Sequence, residues 1–172
     1  NTSKVTDMRL MFANTKVFNQ PIGDWDTSSV ETMISMFLGA DTFNQPIGDW
    51  DTSSVETMRS MFLGADTFNQ DISGWNTSNV REMNTMFCSA ASFNQNLDNW
   101  DIRNVTSLHS MFTNAAAFNG DISSWEPYKV TDMGSMFHGA SSFDQDISGW
   151  DVGNVTIMFD LFTEARLSTP NY

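Results

Sequence analysis

The sequence has 172 residues, the size of one ordinary domain, and 40% of them are hydrophobic and 13% aromatic, enough to build a buried core. Its 21 acidic side chains outnumber 8 basic ones, and the net charge of −13 opposes binding to nucleic acid or an anionic membrane surface. No apolar run reaches the roughly 18 residues that a spanning helix needs, and the polar start does not resemble a signal peptide. We therefore expect no nucleic-acid partner and no membrane insertion.

The chain repeats itself every 25 residues. Residues 51–75 copy residues 26–50 except at Arg59, Asp71, Ser73 and Gly74, and the same period runs through the whole sequence without a gap. A fixed period in this range predicts stacked units that bury their apolar residues against one another. We expect a single repeat domain, 1–172, with units near 1–25, 26–50, 51–75, 76–100, 101–125, 126–150 and 151–172, the last of which is atypical.

Eight apolar places recur in nearly every unit and predict the core. In the second unit they are Val30, Met33, Met36, Phe37, Ala40, Phe43, Ile47 and Trp50. Stacking puts each side chain against its own copies, and the unbranched methionines fill gaps beside the aromatic rings.

Each unit is predicted to contain one short helix and one short strand. The apolar spacing i, i+3, i+6, i+7 and i+10 from Val30 matches one face of a helix, which we expect around 33–40. Residues 43–50 read as a short strand that leaves through a turn, with Pro46 keeping that strand short or at an edge.

The pattern V-x-x-M-x-x-M-F-x-x-A-x-x-F-N-Q-x-I-x-x-W-D-x-S-N-V, followed closely by "SMFHGASSFDQDISGWDVGNVT" at 135–156, resembles the 25-residue repeat of BspA-like bacterial surface proteins, relatives of the leucine-rich repeats. The resemblance covers essentially the whole chain. It implies an α/β fold, a right-handed leucine-rich-repeat-like solenoid of about seven units, in secreted or surface-anchored proteins often linked to adhesion. It also implies a second extended segment near 30–33, so that the helix starts after Val30.

An acidic column follows the tryptophans, and stacked carboxylates about 5 Å apart repel one another unless something compensates. It consists of Asp26, Asp51, Asn76, Asp101, Glu126 and Asp151. We expect each side chain to accept backbone N–H groups of the turn that follows. The alternative is calcium, held between units by the hard oxygens of Asp26, Asp51, Asp101, Glu126 and Asp151.

Two further columns have a structural and a sugar-binding interpretation. Asn44, Gln45 and their copies form an amide ladder, which can satisfy itself between units as in cross-β stacks. The six tryptophans could offer faces to sugars, but a position always filled by Trp in a stack is typical of core. We favour the structural interpretation for both.

Catalytic patterns are absent from the sequence. Cys88, the single cysteine, shares a tolerant column with Leu63 and Thr113, so we predict an incidental thiol. His109 and His138 also lie in variable columns and are expected to face solvent. No nucleophile elbow, metal-ligand spacing or phosphate loop occurs. We expect no enzyme and no cofactor other than the calcium alternative.

The function predicted from sequence is that of a non-enzymatic extracellular or cell-surface repeat module. It would bind a protein or glycan on another cell or matrix, with specificity in exposed variable columns such as Ile34 against Arg59. The alternative is a structural spacer or a filament unit that associates end to end and has no ligand.

Overall fold

The computed structural model describes residues 1–168 and stacks the 25-residue units on one another. In this range there is no α-helix, and the β-structure consists of isolated parallel bridges. The bridges pair Asp7 with Thr32, Thr32 with Thr57, Thr57 with Glu82, Glu82 with Ser107, Ser107 with Asp132 and Asp132 with Ile157. Each bridged residue therefore lies beside its copy 25 positions along the chain.

The predicted helix over 33–40 is instead a series of tight turns. Two positions in every unit have left-handed backbone, with φ of 50 to 58° at Ser35 and its copies and 56 to 68° at Gly39 and its copies. A right-handed helix cannot include such residues. The apolar spacing resembles that of a helix because turns whose hydrogen bonds join residues three apart also bring side chains back to the same side of the chain.

In place of helical hydrogen bonds, the turns around 35–39 make two kinds of backbone hydrogen bond that alternate along the chain. The N–H of Met36 donates three residues back, to the carbonyl of Met33 at 3.2 Å. The N–H groups of Ser35, Phe37 and Gly39 donate instead to carbonyls of the next unit, at 2.9, 2.9 and 2.7 Å. Every junction between units repeats these three bonds, so the backbone is satisfied between units rather than within a helix.

The segment predicted as a strand, 43–50, also has no regular structure, and the single bridge of each unit lies near Thr32 instead. Pro46 lacks the N–H that a ladder needs. The predicted α/β fold, a right-handed leucine-rich-repeat-like solenoid with a strand and a helix in each unit, is therefore wrong. The extended segment near 30–33 does contain the bridge residue.

The predicted core columns are buried in the interior units. Phe62, fully buried, stacks between Phe37 at 5.5 Å and Phe87 at 5.6 Å, and its ring lies 4.0 Å from that of Phe68 in the same unit. Burying one such side chain stabilises the fold by about 1.5–3 kcal/mol. The nearly parallel rings continue from unit to unit and form the centre of the stack.

Candidate functional site: the surface columns of the stack

The tryptophans are core residues that also tie neighbouring units together. Trp75 is 2% exposed, and its indole N–H donates to the carbonyl of Ile47 in the preceding unit at 3.1 Å. Trp50, Trp100, Trp125 and Trp150 make the same bond at 2.8–3.2 Å. These five side chains are buried and not available to a sugar, whereas Trp25 is only partly buried.

The amide ladder holds the units together, as predicted. The Oδ1 atom of Asn44 accepts the backbone N–H of Asn69 at 3.0 Å and the side-chain amide of Gln70 at 2.9 Å. The Oδ1 atom of Asn69 does the same for the next unit, Asn94 and Gln95, at 2.9 and 2.8 Å. The asparagine oxygens are thus already engaged within the protein.

The acidic column caps turns. The carboxylate of Asp51 accepts the N–H of Ser53 at 2.9 Å, and hydrogen bonds from the Ser53 side chain and backbone lower the pKa of Asp51. Asp26, Asp101 and Asp151 accept the N–H two residues on in the same way, at 3.0–3.2 Å. Glu126 accepts the hydroxyl of Tyr128 instead, at 3.2 Å.

No three His, Cys, Asp or Glu side chains within residues 1–168 are placed to share a metal ion. The five residues of the calcium alternative are Asp26, Asp51, Asp101, Glu126 and Asp151, and the asparagine Asn76 interrupts their column. Calcium binding stays a prediction.

The three residues considered for catalysis are only partly accessible. Cys88 is half-buried, and burial raises the pKa of its thiol, which disfavours the reactive thiolate. His109 and His138 are half-buried as well, so both face solvent only in part. His109 lies beside Asp132, with Nδ1 3.4 Å from Oδ1.

A variable column follows the bridge residues along one side of the stack, and we call it the recognition column. Its members are Arg9, Ile34, Arg59, Asn84, His109, Gly134 and Phe159. The bridge residue before each member often holds it in place: Asp132 accepts the N–H of Gly134 at 2.9 Å, and Asp7 accepts that of Arg9 at 2.9 Å. Six residue types in seven places contrast with the constant core.

One part of the recognition column depends on contacts across three units. Phe159, 57% exposed, reaches over Gly134 to His109, and the two ring centres lie 5.9 Å apart. A Cβ atom at Gly134 would lie 2.8 Å from the Phe159 ring, so a larger residue there would displace the ring. The sequence pattern indicated Ile34 and Arg59 in this column but carried no signal for the contact between Phe159 and His109.

The part of the chain that the structure describes contains no helix of the length and hydropathy that a bilayer crossing needs.

Stacked 25-residue turns with a constant core and a varied surface define the class: this is a repeat protein. The chain belongs to the family described as Mycoplasma protein of unknown function, DUF285, whose model matches residues 1–100 and again residues 70–171. Two overlapping matches are what internal repeats produce. A comparison with curated proteins finds no match.

Proposed function

We propose that the chain is a non-enzymatic binding module that recognises a partner protein through the recognition column, on the outside of a cell. The observation that carries this proposal is the contrast between columns. Positions that hold the stack together repeat, whereas Arg59, Asn84 and Phe159 differ at one surface position.

A protein partner fits the surface better than a glycan does. Sugar sites rely on exposed aromatic faces, yet five of the six tryptophans are buried and the asparagine oxygens are bound within the ladder. The recognition column offers an arginine, an aliphatic side chain and an aromatic ring, and arginine and aromatic residues are enriched at the centres of protein interfaces. The resemblance to BspA-like surface repeats supports a position on the cell surface.

The first experiment is binding of the whole chain to an array of matrix proteins and glycans, followed by titration of each protein that binds. Arg59→Ile makes the third unit match the second at the recognition column. Gly74→Asp is the matched control. It also gives the third unit the residue that the second unit has, but outside the recognition column and at a place where an added side chain meets open space. We expect Arg59→Ile to weaken binding at least about tenfold, the effect of a modest hot spot, and the control to change it less than about twofold.

Saturable binding that Gly74→Asp weakens and Arg59→Ile leaves unchanged would contradict the assignment of the recognition column. Binding only to glycans would contradict the choice of a protein partner. A folded chain that binds nothing would favour the second candidate, a structural spacer. The near-identity of residues 26–50 and 51–75 favours that candidate, since a spacer needs length rather than distinct contact residues.

Surface display is tested separately in cells that make the protein. Added protease should remove the protein from intact cells, while a cytoplasmic marker in the same cells survives. Full protection of the protein until the cells are lysed would contradict the surface assignment.

A further inference from the structure

One layer of the amide ladder contains a dipeptide that the other layers lack. Glutamine follows each of the first four ladder asparagines, which are Asn19, Asn44, Asn69 and Asn94. Glycine follows the fifth, so that Asn119 and Gly120 form the only Asn-Gly pair of the sequence. Glycine has no Cβ atom that would hinder a reaction at its own backbone nitrogen. The side-chain amide of Asn119 is therefore the ladder amide most open to attack by the nitrogen that follows it.

The packing between units favours glycine at this place. The backbone at Gly120 passes close to the carbonyl of Gln95 in the preceding unit, so that an added Cβ atom would overlap the carbonyl oxygen and lie 2.8 Å from the carbonyl carbon. Gly120 is also buried, and the same Cβ atom would lie 3.1 Å from the ring of Phe118. The Asn-Gly pair is therefore part of how this layer packs.

The hydrogen bonds of Asn119 favour the loss of its amide nitrogen. Its Oδ1 atom accepts the backbone N–H of Asp144 at 2.8 Å and the side-chain amide of Gln145 at 3.1 Å. Two donors on a carbonyl oxygen stabilise the negative charge that forms there when a nucleophile attacks the carbonyl carbon. The Nδ2 atom of Asn119 and the backbone N–H of Gly120 have no acceptor among residues 1–168, so both are free to react.

We propose that Asn119 is a site of spontaneous deamidation in the folded protein. The backbone nitrogen of Gly120 attacks Cγ of Asn119, the bond from Cγ to Nδ2 breaks, and the proton of the attacking nitrogen ends on Nδ2, which leaves as ammonia. The product is a cyclic succinimide. Water opens this ring at one carbonyl to give aspartate, or at the other to give isoaspartate, in which the main chain runs through the former side chain.

The two products affect the junction between the units 101–125 and 126–150 differently. Aspartate keeps an acceptor oxygen at the place of Oδ1, and the ladder already contains an aspartate at Asp144. Isoaspartate lengthens the main chain by a methylene group and turns the carbonyl that Asp144 and Gln145 bind into part of the main chain, which disturbs the register of the ladder. Isoaspartate formation therefore limits the lifetime of the intact stack.

The test is incubation of the whole folded chain at several pH values, followed by peptide mass spectrometry of each ladder asparagine. We expect Asn119 to convert at least about tenfold faster than Asn44, Asn69 and Asn94. Its rate should rise with pH, because the attacking nitrogen has to lose its proton. Chromatography that resolves aspartate from isoaspartate should show both products. A sample denatured in urea gives the reference rate without the fold.

Gln70→Gly creates the same pair in another layer. There the Oδ1 atom of Asn69 accepts the same two kinds of donor, the N–H of Asn94 at 2.9 Å and the amide of Gln95 at 2.8 Å. We expect Asn69 to convert at least about tenfold faster in this variant than in the wild type. Gln70→Ala is the matched control, since it loses the same side-chain amide, which donates to Asn44, without creating the pair, and Asn69 should keep its amide.

Melting curves separate the two products and establish that each variant is folded. Asn119→Asp, the direct aspartate product, should melt close to the wild type, whereas the isoaspartate fraction isolated from aged chain should melt several degrees lower. An Asn119 that keeps its amide in the folded chain while it converts in urea overturns the proposal, because the ladder then protects the side chain. Equal conversion of all ladder asparagines overturns it as well, and so does a folded Gln70→Gly variant in which Asn69 keeps its amide.

Discussion

Replacing Asn69 tests whether the amide ladder is a structural device. Its Oδ1 atom accepts two hydrogen bonds from the next unit, the backbone N–H of Asn94 at 2.9 Å and the amide of Gln95 at 2.8 Å. Asn69→Ala removes that acceptor. Gln95 keeps a second acceptor, the backbone carbonyl of Asn69 at 2.9 Å, and Asn94 is exposed enough to turn to water.

The expected loss follows from these contacts. Two hydrogen bonds at about 0.5–1.5 kcal/mol each set an upper range of about 1–3 kcal/mol. Since both donors have substitutes, we expect the lower part of it, about 1–2 kcal/mol. In a protein of this size such a loss lowers the melting temperature by roughly 2–8 °C.

Asn69→Asp is the matched control, because it keeps an acceptor oxygen of the same shape. The column already contains Asp144, whose carboxylate accepts the N–H of Ser168 at 2.7 Å. We expect this variant to stay within about 0.5 kcal/mol of the wild type. The measurement is denaturation followed by fluorescence of the buried tryptophans. If Asn69→Ala unfolds at the wild-type midpoint, or if both variants lose equal stability, the ladder does not act through its oxygen.

Three further predictions compare one repeat unit with another. Gly64→Ala should lower the free energy of unfolding by about 1 kcal/mol, and Ser89→Gly in the same left-handed column should raise it by about 0.5–1 kcal/mol. An added Cβ at Gly64 meets nothing closer than 3.8 Å, so only the backbone conformation opposes it, and equal denaturation midpoints for both variants would contradict this. The pKa of Asp51 is lowered in the folded state, so its contribution is present above about pH 4 and is lost as the pH falls through the folded pKa. Asp51→Asn, which keeps the turn acceptor as Asn76 does, should therefore lose less stability than the wild type between about pH 7 and pH 2.5, and an identical loss would refute the assignment. Calcium should leave the melting temperature at its value in chelator, because the aspartate oxygens already cap turns, and a rise that Asp101→Asn abolishes would establish the calcium alternative.

The sequence predicted the core because the core depends on period alone. Any stack with a 25-residue repeat brings Phe62 between Phe37 and Phe87, whatever path the backbone takes between them. The turn-capping role of Asp51 was also predictable, since it needs only an acceptor two residues before a free N–H.

The backbone path was not predicted because two structures share the same apolar spacing. The deciding signal was present in one column, where Gly39 and Gly64 alternate with Asn14 and Asn114. Glycine and asparagine are the residues that most readily adopt positive φ, so this mixture indicates a left-handed position, which a helix over 33–40 cannot contain in its interior. The other left-handed column, with Ser35 and its copies, carries no such signal. The Phe159 cluster was beyond sequence reasoning because it depends on one side chain crossing two units.

The direction of the hydrogen bonds between units has an electrostatic consequence. At each junction four backbone N–H groups donate from the lower-numbered unit to the next, while one or two, such as that of Glu56, donate back. A peptide group carries a dipole of about 3.5 D, and aligned groups add along an axis as they do in a helix. The stack is therefore electrically polar, positive at the unit 151–168 and negative at the unit 1–25. The carboxylates of residues 151–168 lie near the positive end of this dipole, and the cations Lys4, Arg9 and Lys16 lie near its negative end. An acidic residue added near 151–168 should therefore stabilise the stack, and the same residue added near 1–25 should destabilise it.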